Sequence, residues 1–173
     1  MDKFSKDIWK KILPFDKEVT PSPARKRKAS REEPPCLDHW TPPILLERAA
    51  YLRKLAKLSD GSASETLHEY PQHHTMLSFR NRDGVVEQHA EFADLFYVLD
   101  GRAVLVTGGE IVGARIIAPG EVRGASIDGG LRQELRVGDM AHVPAGLPHQ
   151  MLLSGDRTLT CFVIKIKEKS LSE

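Results

Sequence analysis

The chain has 173 residues, and its 25 lysines and arginines nearly balance its 24 aspartates and glutamates. This length allows one ordinary domain plus a tail, and the balanced charge gives no overall basic field that would gather nucleic acid. No stretch approaches the roughly 18 to 20 apolar residues of a membrane span. We therefore expect neither a nucleic-acid partner nor a membrane span.

The cysteines and the first segment bear on the cellular compartment. Cys36 and Cys161 lie far apart, one in a polar segment and one in a predicted strand. Such a pair fits free thiols in a reducing cytosol better than a disulfide framework. Segment 1–14 has no central apolar run and its lysines are dispersed, so it is not expected to be a secretory signal. The protein is therefore predicted to be cytoplasmic.

Residues 1–40 are predicted to form a flexible tail with one short amphipathic helix. Apolar residues of segment 3–13 recur at helical spacing among lysines, and Pro14 ends the pattern. So short a helix is marginal in water, and we favour a fraying or self-packed helix over one that docks on a membrane or partner. Residues 14–38 hold several prolines and few large apolar groups, as linkers do, and the basic run 25–28 is read as solvated tail.

A helix is predicted over residues 41–59. Thr41 can cap it, Pro42 suits its first turn, and Gly61 follows as a stop signal. Its apolar stripe consists of Leu45, Ala49, Leu52, Leu55 and Ala56. Segment 41–60 is therefore expected to pack across the outside of the domain that follows or at a dimer seam.

Residues 61–173 are predicted to form an all-β domain. Turn signals rich in glycine, asparagine and aspartate separate many short apolar runs, which indicates a sandwich or a closed barrel. The predicted strands are 63–70, 74–80, 84–89, 94–99, 102–107, 111–117, 131–136, 140–143, 148–153 and 157–167. The glycine-rich stretch 118–130 is predicted to be a mobile loop or lid.

The most specific motif of the chain runs from Gly138 to His149. Gly138 makes the turn into a strand, Pro144 and Gly146 shape a tight connection, and His149 begins the next strand. The pattern of glycine, five residues, Pro-x-Gly, two residues and histidine resembles the second motif of the cupin family at all four fixed positions.

An upstream segment resembles the first cupin motif, which is His-x-His, three or four residues, glutamate, six residues and glycine. Here Glu87 stands in place of the first histidine, His89 matches the second, and Asp94 replaces the glutamate before Gly101. The resemblance covers roughly residues 62–168. It implies a cupin double-stranded β-helix, a jelly-roll barrel over residues 61–173, preceded by the N-terminal helix and the flexible tail.

Four side chains are candidate metal ligands: Glu87, His89, Asp94 and His149. Glu87 and His89 are two residues apart, so they share one face of a strand. Two imidazoles with one or two carboxylates suit a divalent first-row ion, and we expect one ion of Fe, Mn, Ni, Zn or Co. Asp94 is one methylene shorter than glutamate, so it is either a fourth ligand or a hydrogen-bond partner of a ligating imidazole.

The remaining polar residues are less informative. His142 is expected to have a structural or rim role, and Arg102, Arg115 and Arg123 could hold an anionic substrate if they face inward. No nucleophile lies beside a base in a recognisable pattern, so neither catalytic nor substrate-binding residues are assigned.

Three functions are compatible with these features. The cupin resemblance favours a metal-dependent enzyme that acts on a small metabolite, of oxygenase, isomerase or lyase type. The alternatives are a metal-binding or ligand-binding sensor barrel without turnover, and a structural barrel with a vestigial site. A homodimer is also expected, since the 41–59 stripe and an exposed first strand offer apolar surface and an open edge.

Overall fold

The computed structural model describes residues 37–155 and 157–168. The predicted amphipathic helix at 3–13 and most of the predicted linker lie outside the described residues. Within them, helix α1 (Pro42–Ala56) precedes strands only, and no helix there is long and apolar enough to cross a membrane. The strands are β1 (Ser62–Glu69), β2 (His73–Arg80), β3 (Val86–His89), β4 (Phe92–Thr107), β5 (Glu110–Val112), β6 (Arg115–Ala118), β7 (Glu121–Gly124), β8 (Ser126–Asp128), β9 (Leu131–Arg136), β10 (Met140–Val143), β11 (His149–Leu152) and β12 (Leu159–Lys167).

Ten of these strands form two antiparallel layers that share the long strand β4, and β5 and β8 form a separate pair. The first part of β4 pairs with β10 and β12, and β12 continues to β2 and β1. Its last part pairs with β9 and β11, and β11 continues through β3 and β7 to β6. The predicted fold class is therefore confirmed: an all-β, jelly-roll-type curled sheet preceded by a helix.

Several predicted boundaries were wrong. The helix predicted to reach residue 59 ends at Ala56, and the strand predicted at 111–117 is two strands, β5 and β6. The separate strands predicted at 94–99 and 102–107 are one strand, because Gly101 has a φ of +84° and redirects the chain without ending the ladder. The loop or lid predicted at 118–130 contains β7, which pairs with β3, and β8, which pairs with β5. The glycines of this stretch lie at the ends of short strands.

Replacing Gly101 by alanine should destabilise the protein by about 3 kcal/mol or more. A left-handed backbone costs a residue with a Cβ about 1 to 2 kcal/mol, and the Cβ at position 101 would overlap the carbonyl oxygen of Thr158. Gly138, with a φ of +90° and no atom near its absent Cβ, is the matched control and should cost only the backbone term. Urea unfolding of both variants measures the difference, and equal losses would contradict the packing argument.

Two apolar clusters hold the fold together. One fills the space between the layers and includes Val98, Leu105, Leu135, Val143 and Val163. The other lies outside, where the buried stripe Leu45, Ala49, Leu52 and Ala56 of α1 packs on Leu77, Phe79 and Leu99. The stripe is thus covered by its own chain.

The alternation of side chains along β2 and β12 determines which of their residues face the interior of the barrel. Leu77 and Phe79 of β2 pack in the cluster under the helix, whereas Ser78 and Arg80 line a cavity on the opposite face. On β12, Lys165 lines the same cavity and is paired in register with Asp94 of β4. On β2 the inward polar side chains therefore alternate with residues of the outer cluster, whereas on β12 Lys165 shares its face with Val163 of the inner cluster.

Candidate metal centre

The four predicted ligands converge inside the barrel. Glu87 and His89 lie on β3, Asp94 lies near the start of β4, and His149 begins β11. His149 is paired in register with Glu87, which brings the two motifs together. One ligand atom from each of the four residues lies within 4.8 Å of the others, so the cluster could hold a metal ion.

The spacing of these atoms suits one ion. Nε2 of His149 is 3.2 Å from Asp94 Oδ2 and 3.9 Å from Glu87 Oε2, and His89 Nε2 is 3.5 Å from both carboxylates. Ligands that bind a first-row ion at about 2.1 Å stand about 3.4 Å apart in a tetrahedral shell. The residues present therefore fit a divalent ion in number, kind and separation.

The Nδ1 atom of each imidazole has a hydrogen-bond partner that orients the ring. Nδ1 of His89 lies 2.7 Å from Glu121 Oε2, and Nδ1 of His149 lies 3.2 Å from the carbonyl oxygen of Leu147. Each acceptor favours the tautomer that leaves Nε2 available to a metal. Nε2 of His149 is buried and makes no well-formed hydrogen bond within residues 37–155 and 157–168. The nitrogen faces the Asp94 carboxylate at 3.2 Å, an arrangement that two ligands of one ion would also have.

Sequence reasoning missed the support that β7 gives to the site. Glu121 and Arg123 are paired in register with His89 and Glu87, respectively. Nη1 of Arg123 donates to Glu121 Oε2 at 3.0 Å, and its Nε lies 3.6 Å from Glu87 Oε1. The available signal was the two-residue spacing of Glu121 and Arg123 between two glycines, which suits one face of a short strand.

Glu121→Gln should weaken metal binding by about 10- to 100-fold, as is typical when the partner of a ligating histidine is lost. The glutamine amide has the shape of the glutamate carboxylate but carries no charge to support the His89 imidazole. Titration with Co²⁺ followed by visible absorption measures the effect. Glu134→Gln, at an exposed position on β9, is the matched control. Equal Co²⁺ affinity in the parent and in Glu121→Gln would show that Glu121 does not support metal binding.

Lys165 is the second residue that sequence reasoning missed. Its Nζ donates to Asp94 Oδ1 at 2.7 Å and lies 2.8 Å from His89 Nε2, with only 17% of the side chain exposed. An ammonium thus contacts two of the predicted metal ligands. The lysine follows the inward-facing Cys161 and Val163 at two-residue spacing, which was the signal that could have identified it.

The charges of the cluster shift its pKa values in opposite directions. Burial acts to raise the pKa of Glu87, but His89 and Arg123 outweigh it and hold the pKa at about 2. Burial likewise opposes ionisation of Asp94, yet the nearby imidazoles and Lys165 keep its pKa well below the usual range. For His89, burial acts to lower the pKa, and the carboxylates of Asp94 and Glu87 raise it to about 9. Both carboxylates are therefore ionised at neutral pH and available to a cation.

The positive charge of Lys165 opposes protonation of His89. At 2.8 Å, its Nζ and His89 Nε2 have room for one proton on the line between them. A metal ion at Nε2 must displace both that proton and the lysine.

A cavity of about 400 Å³ adjoins the cluster. Its lining includes the charged residues Glu87, Asp94, Lys165 and Arg123 and the apolar residues Met76, Phe96 and Val163. Its size suits a small organic molecule. A ligand there would contact the candidate metal site directly.

The other predicted site residues lie elsewhere. His142 is about half exposed, with Nε2 3.9 Å from Glu168 Oε1, in keeping with the predicted rim or structural role. Arg102 and Arg115 are exposed, and of the three arginines considered only Arg123 lines the cavity.

Comparison with known proteins gives structural matches at low identity, whereas no protein-family model and no curated protein matches the chain. The structures include the DMSP lyase DddQ from Ruegeria pomeroyi DSS-3, with 16% identity, a TM-score of 0.46 and coverage of 65% of this chain and 50% of that one. The cupin domain of Schizosaccharomyces pombe Cnp3 has 9% identity, a TM-score of 0.47 and coverage of 62% and 65%. A cupin superfamily protein from Desulfitobacterium hafniense DCB-2 has 17% identity, a TM-score of 0.45 and coverage of 66% and 88%.

The chain thus spans half the length of the DMSP lyase it matches. Two of these three proteins are described as cupins, the family whose motifs the sequence resembles.

Proposed function

We propose that this protein is a metal-dependent enzyme that acts on a small metabolite, of oxygenase, isomerase or lyase type. The observation that supports it is the cluster of Glu87, His89, Asp94 and His149, with ligand atoms within 4.8 Å of one another beside a cavity of about 400 Å³. A divalent ion bound there would supply Lewis-acid or redox chemistry.

The chain's own residues contribute orientation and charge. Glu121 and the Leu147 carbonyl hold the two imidazoles in position, so metal binding requires movement of Lys165 rather than of the imidazoles. Met76, Phe96 and Val163 supply apolar surface to the lining of the cavity. Lys165, which lines the cavity and bonds to Asp94, is placed to donate a proton or hydrogen bond to a substrate next to the ligands.

Incubation of the metal-reconstituted protein with a library of small metabolites, followed by mass spectrometry, tests this function. The parent should convert at least one compound over time, and His149→Ala should convert none. Oxygen uptake during conversion would assign the oxygenase type. A compound that binds the parent and stays unchanged would replace the enzyme with a binding protein.

The Lys165 contact favours the second candidate, a small-ligand-binding or sensor barrel without turnover. An ammonium held at 2.7 Å from Asp94 and 2.8 Å from His89 offsets the charge of one of the two carboxylates without a metal. Under this function a ligand binds in the cavity, and metal content has no effect on its affinity. Measuring the affinity of a ligand found in the library, with and without metal, separates the two candidates.

We further propose a cytoplasmic homodimer, with strand β6 at the subunit interface. This strand ends its sheet, and the side chains of Ile116 and Ile117 are 80% and 60% exposed. An exposed apolar edge strand readily pairs with another chain.

Ile116→Lys should therefore convert a dimer into a monomer, because a charge at the edge opposes strand pairing. Light scattering at micromolar concentration measures the mass. Val137→Lys, which changes an exposed apolar residue elsewhere, is the control. A monomeric parent, or a dimer that survives Ile116→Lys, would exclude this interface.

A further inference from the structure

Arg80 is the cation of the cavity that the candidate metal centre does not use. It ends β2, faces inward with Ser78, and lines both the main cavity and a smaller one beside His149 and Gln150. Within the described part of the chain its guanidinium has no hydrogen bond and no carboxylate within ion-pair distance. Asp60 senses its charge only at longer range, while accepting a hydrogen bond from Ser62 Oγ at 2.8 Å.

Gly84 lies directly beside the guanidinium. A Cβ at position 84 would overlap Nη1 of Arg80, although Gly84 does not have a positive φ that would itself require glycine. The backbone of Gly84 is fixed, since its N–H donates to Met151 and its carbonyl accepts from Gln150, both at 2.8 Å. The neighbouring loop therefore leaves room for a directed, half-buried guanidinium.

The other cations around the cavity already have carboxylate partners. Lys165 bonds to Asp94, and Arg123 contacts both Glu87 and Glu121. Among the residues that line the cavity, three cations thus face the two carboxylates Glu87 and Asp94, and Arg80 is the cation paired with neither of them; a bound divalent ion would add to this positive charge. An unpaired, partly desolvated guanidinium is costly unless a ligand supplies the negative charge.

We propose that Arg80 binds the anionic group of the substrate, and that the substrate is a small organic oxyanion. The inference rests on the proposed function, because it takes the cavity as the substrate site. A guanidinium presents two parallel N–H donors, which match the oxygens of a carboxylate or a phosphate. Ser64 and Ser78 line the cavity near Arg80 as further polar groups, and Phe96 and Val163 would contact the apolar part of the substrate.

Calorimetric titration of the full chain, first without metal and then loaded with Co²⁺, tests the proposal. The anionic probes are benzoate, succinate and glycerol 3-phosphate, and benzamide, succinamide and glycerol are their neutral counterparts. At least one anion should bind, its neutral counterpart should bind at least tenfold more weakly, and Arg80→Gln should lose at least tenfold in affinity. Preference for the phosphate or for the carboxylates identifies the oxyanion.

Two further variants separate the charge from its placement. Arg136→Gln removes an exposed arginine and should leave anion binding unchanged. Gly84→Ala retains the charge but displaces the guanidinium, so it should also weaken anion binding. Circular dichroism and the urea midpoint establish that each variant is folded.

The proposal is overturned if no anion binds, if the neutral counterparts bind equally well, or if a folded Arg80→Gln binds as tightly as the parent. Co²⁺ stoichiometry is measured on the same samples. If the protein binds an anion in an Arg80-dependent way but does not bind Co²⁺, only the proposal of a metal enzyme is rejected. Normal Co²⁺ binding without anion binding would reject the anion site alone.

Discussion

Replacing Lys165 by methionine is expected to raise the affinity of the protein for Co²⁺ by about 10- to 100-fold. The ammonium lies 2.8 Å from His89 Nε2, the atom that a metal ion would have to reach, and 2.7 Å from Asp94 Oδ1, the carboxylate oxygen beside the one that faces the imidazoles. Two like unit charges about 4 Å apart near a protein surface repel by roughly 4 kcal/mol, and a gain of 1.4 to 2.7 kcal/mol, about 10- to 100-fold, is a fraction of that. Methionine has similar length and no charge.

Competition with a chromophoric chelator measures this affinity. Lys167→Met is the matched control, because Lys167 lies on the same strand but contacts Glu91 at the surface. The metal-free Lys165→Met variant should also unfold at lower urea concentration, since Asp94 loses its partner in a buried site. Unchanged or weaker Co²⁺ binding by a folded variant would show that Lys165 does not compete with the metal.

Loss of one imidazole is expected to lower the affinity for Co²⁺, and this change should be larger than the gain from Lys165→Met. His149→Ala should lower the affinity for Co²⁺ by more than the roughly 10- to 100-fold typical of losing a supporting residue. Nε2 of His149 is the buried ligand atom without a well-formed hydrogen bond, and alanine offers no donor in its place. The d–d absorption of Co²⁺ at one equivalent reports the loss.

His142→Ala is the control for this measurement, because His142 is about half exposed on the neighbouring strand β10. Both variants remove one imidazole, so nonspecific histidine binding would affect them equally. Equal Co²⁺ affinity in the two variants would place the metal outside the predicted cluster.

The sequence was sufficient to predict the fold and the four converging residues because both motifs have fixed spacing. The glycine, proline and histidine positions from Gly138 to His149 constrain a turn, a tight connection and a strand start. Two-residue spacing placed Glu87 and His89 on one face, and the register of His149 with Glu87 brings the motifs together. That these residues bind metal stays a prediction.

What the sequence did not provide were contacts made by pairing between distant strands. Glu121 and Lys165 reach His89 from β7 and β12, more than 30 and more than 70 residues along the chain. Pairing of this kind depends on sheet register, which local patterns do not determine. Gly120 and Gly124 suggested a loop, although they lie at the two ends of β7, the strand that supports the site.

The most direct test of the metal centre is elemental analysis of the full chain purified without chelators, beside a His89→Ala/His149→Ala double variant. We expect about one equivalent of Fe, Mn, Ni, Zn or Co in the parent, or after reconstitution, and little in the double variant. A parent that holds no metal, even after reconstitution, would contradict the metal centre and leave Lys165 as the permanent cation of a metal-free barrel.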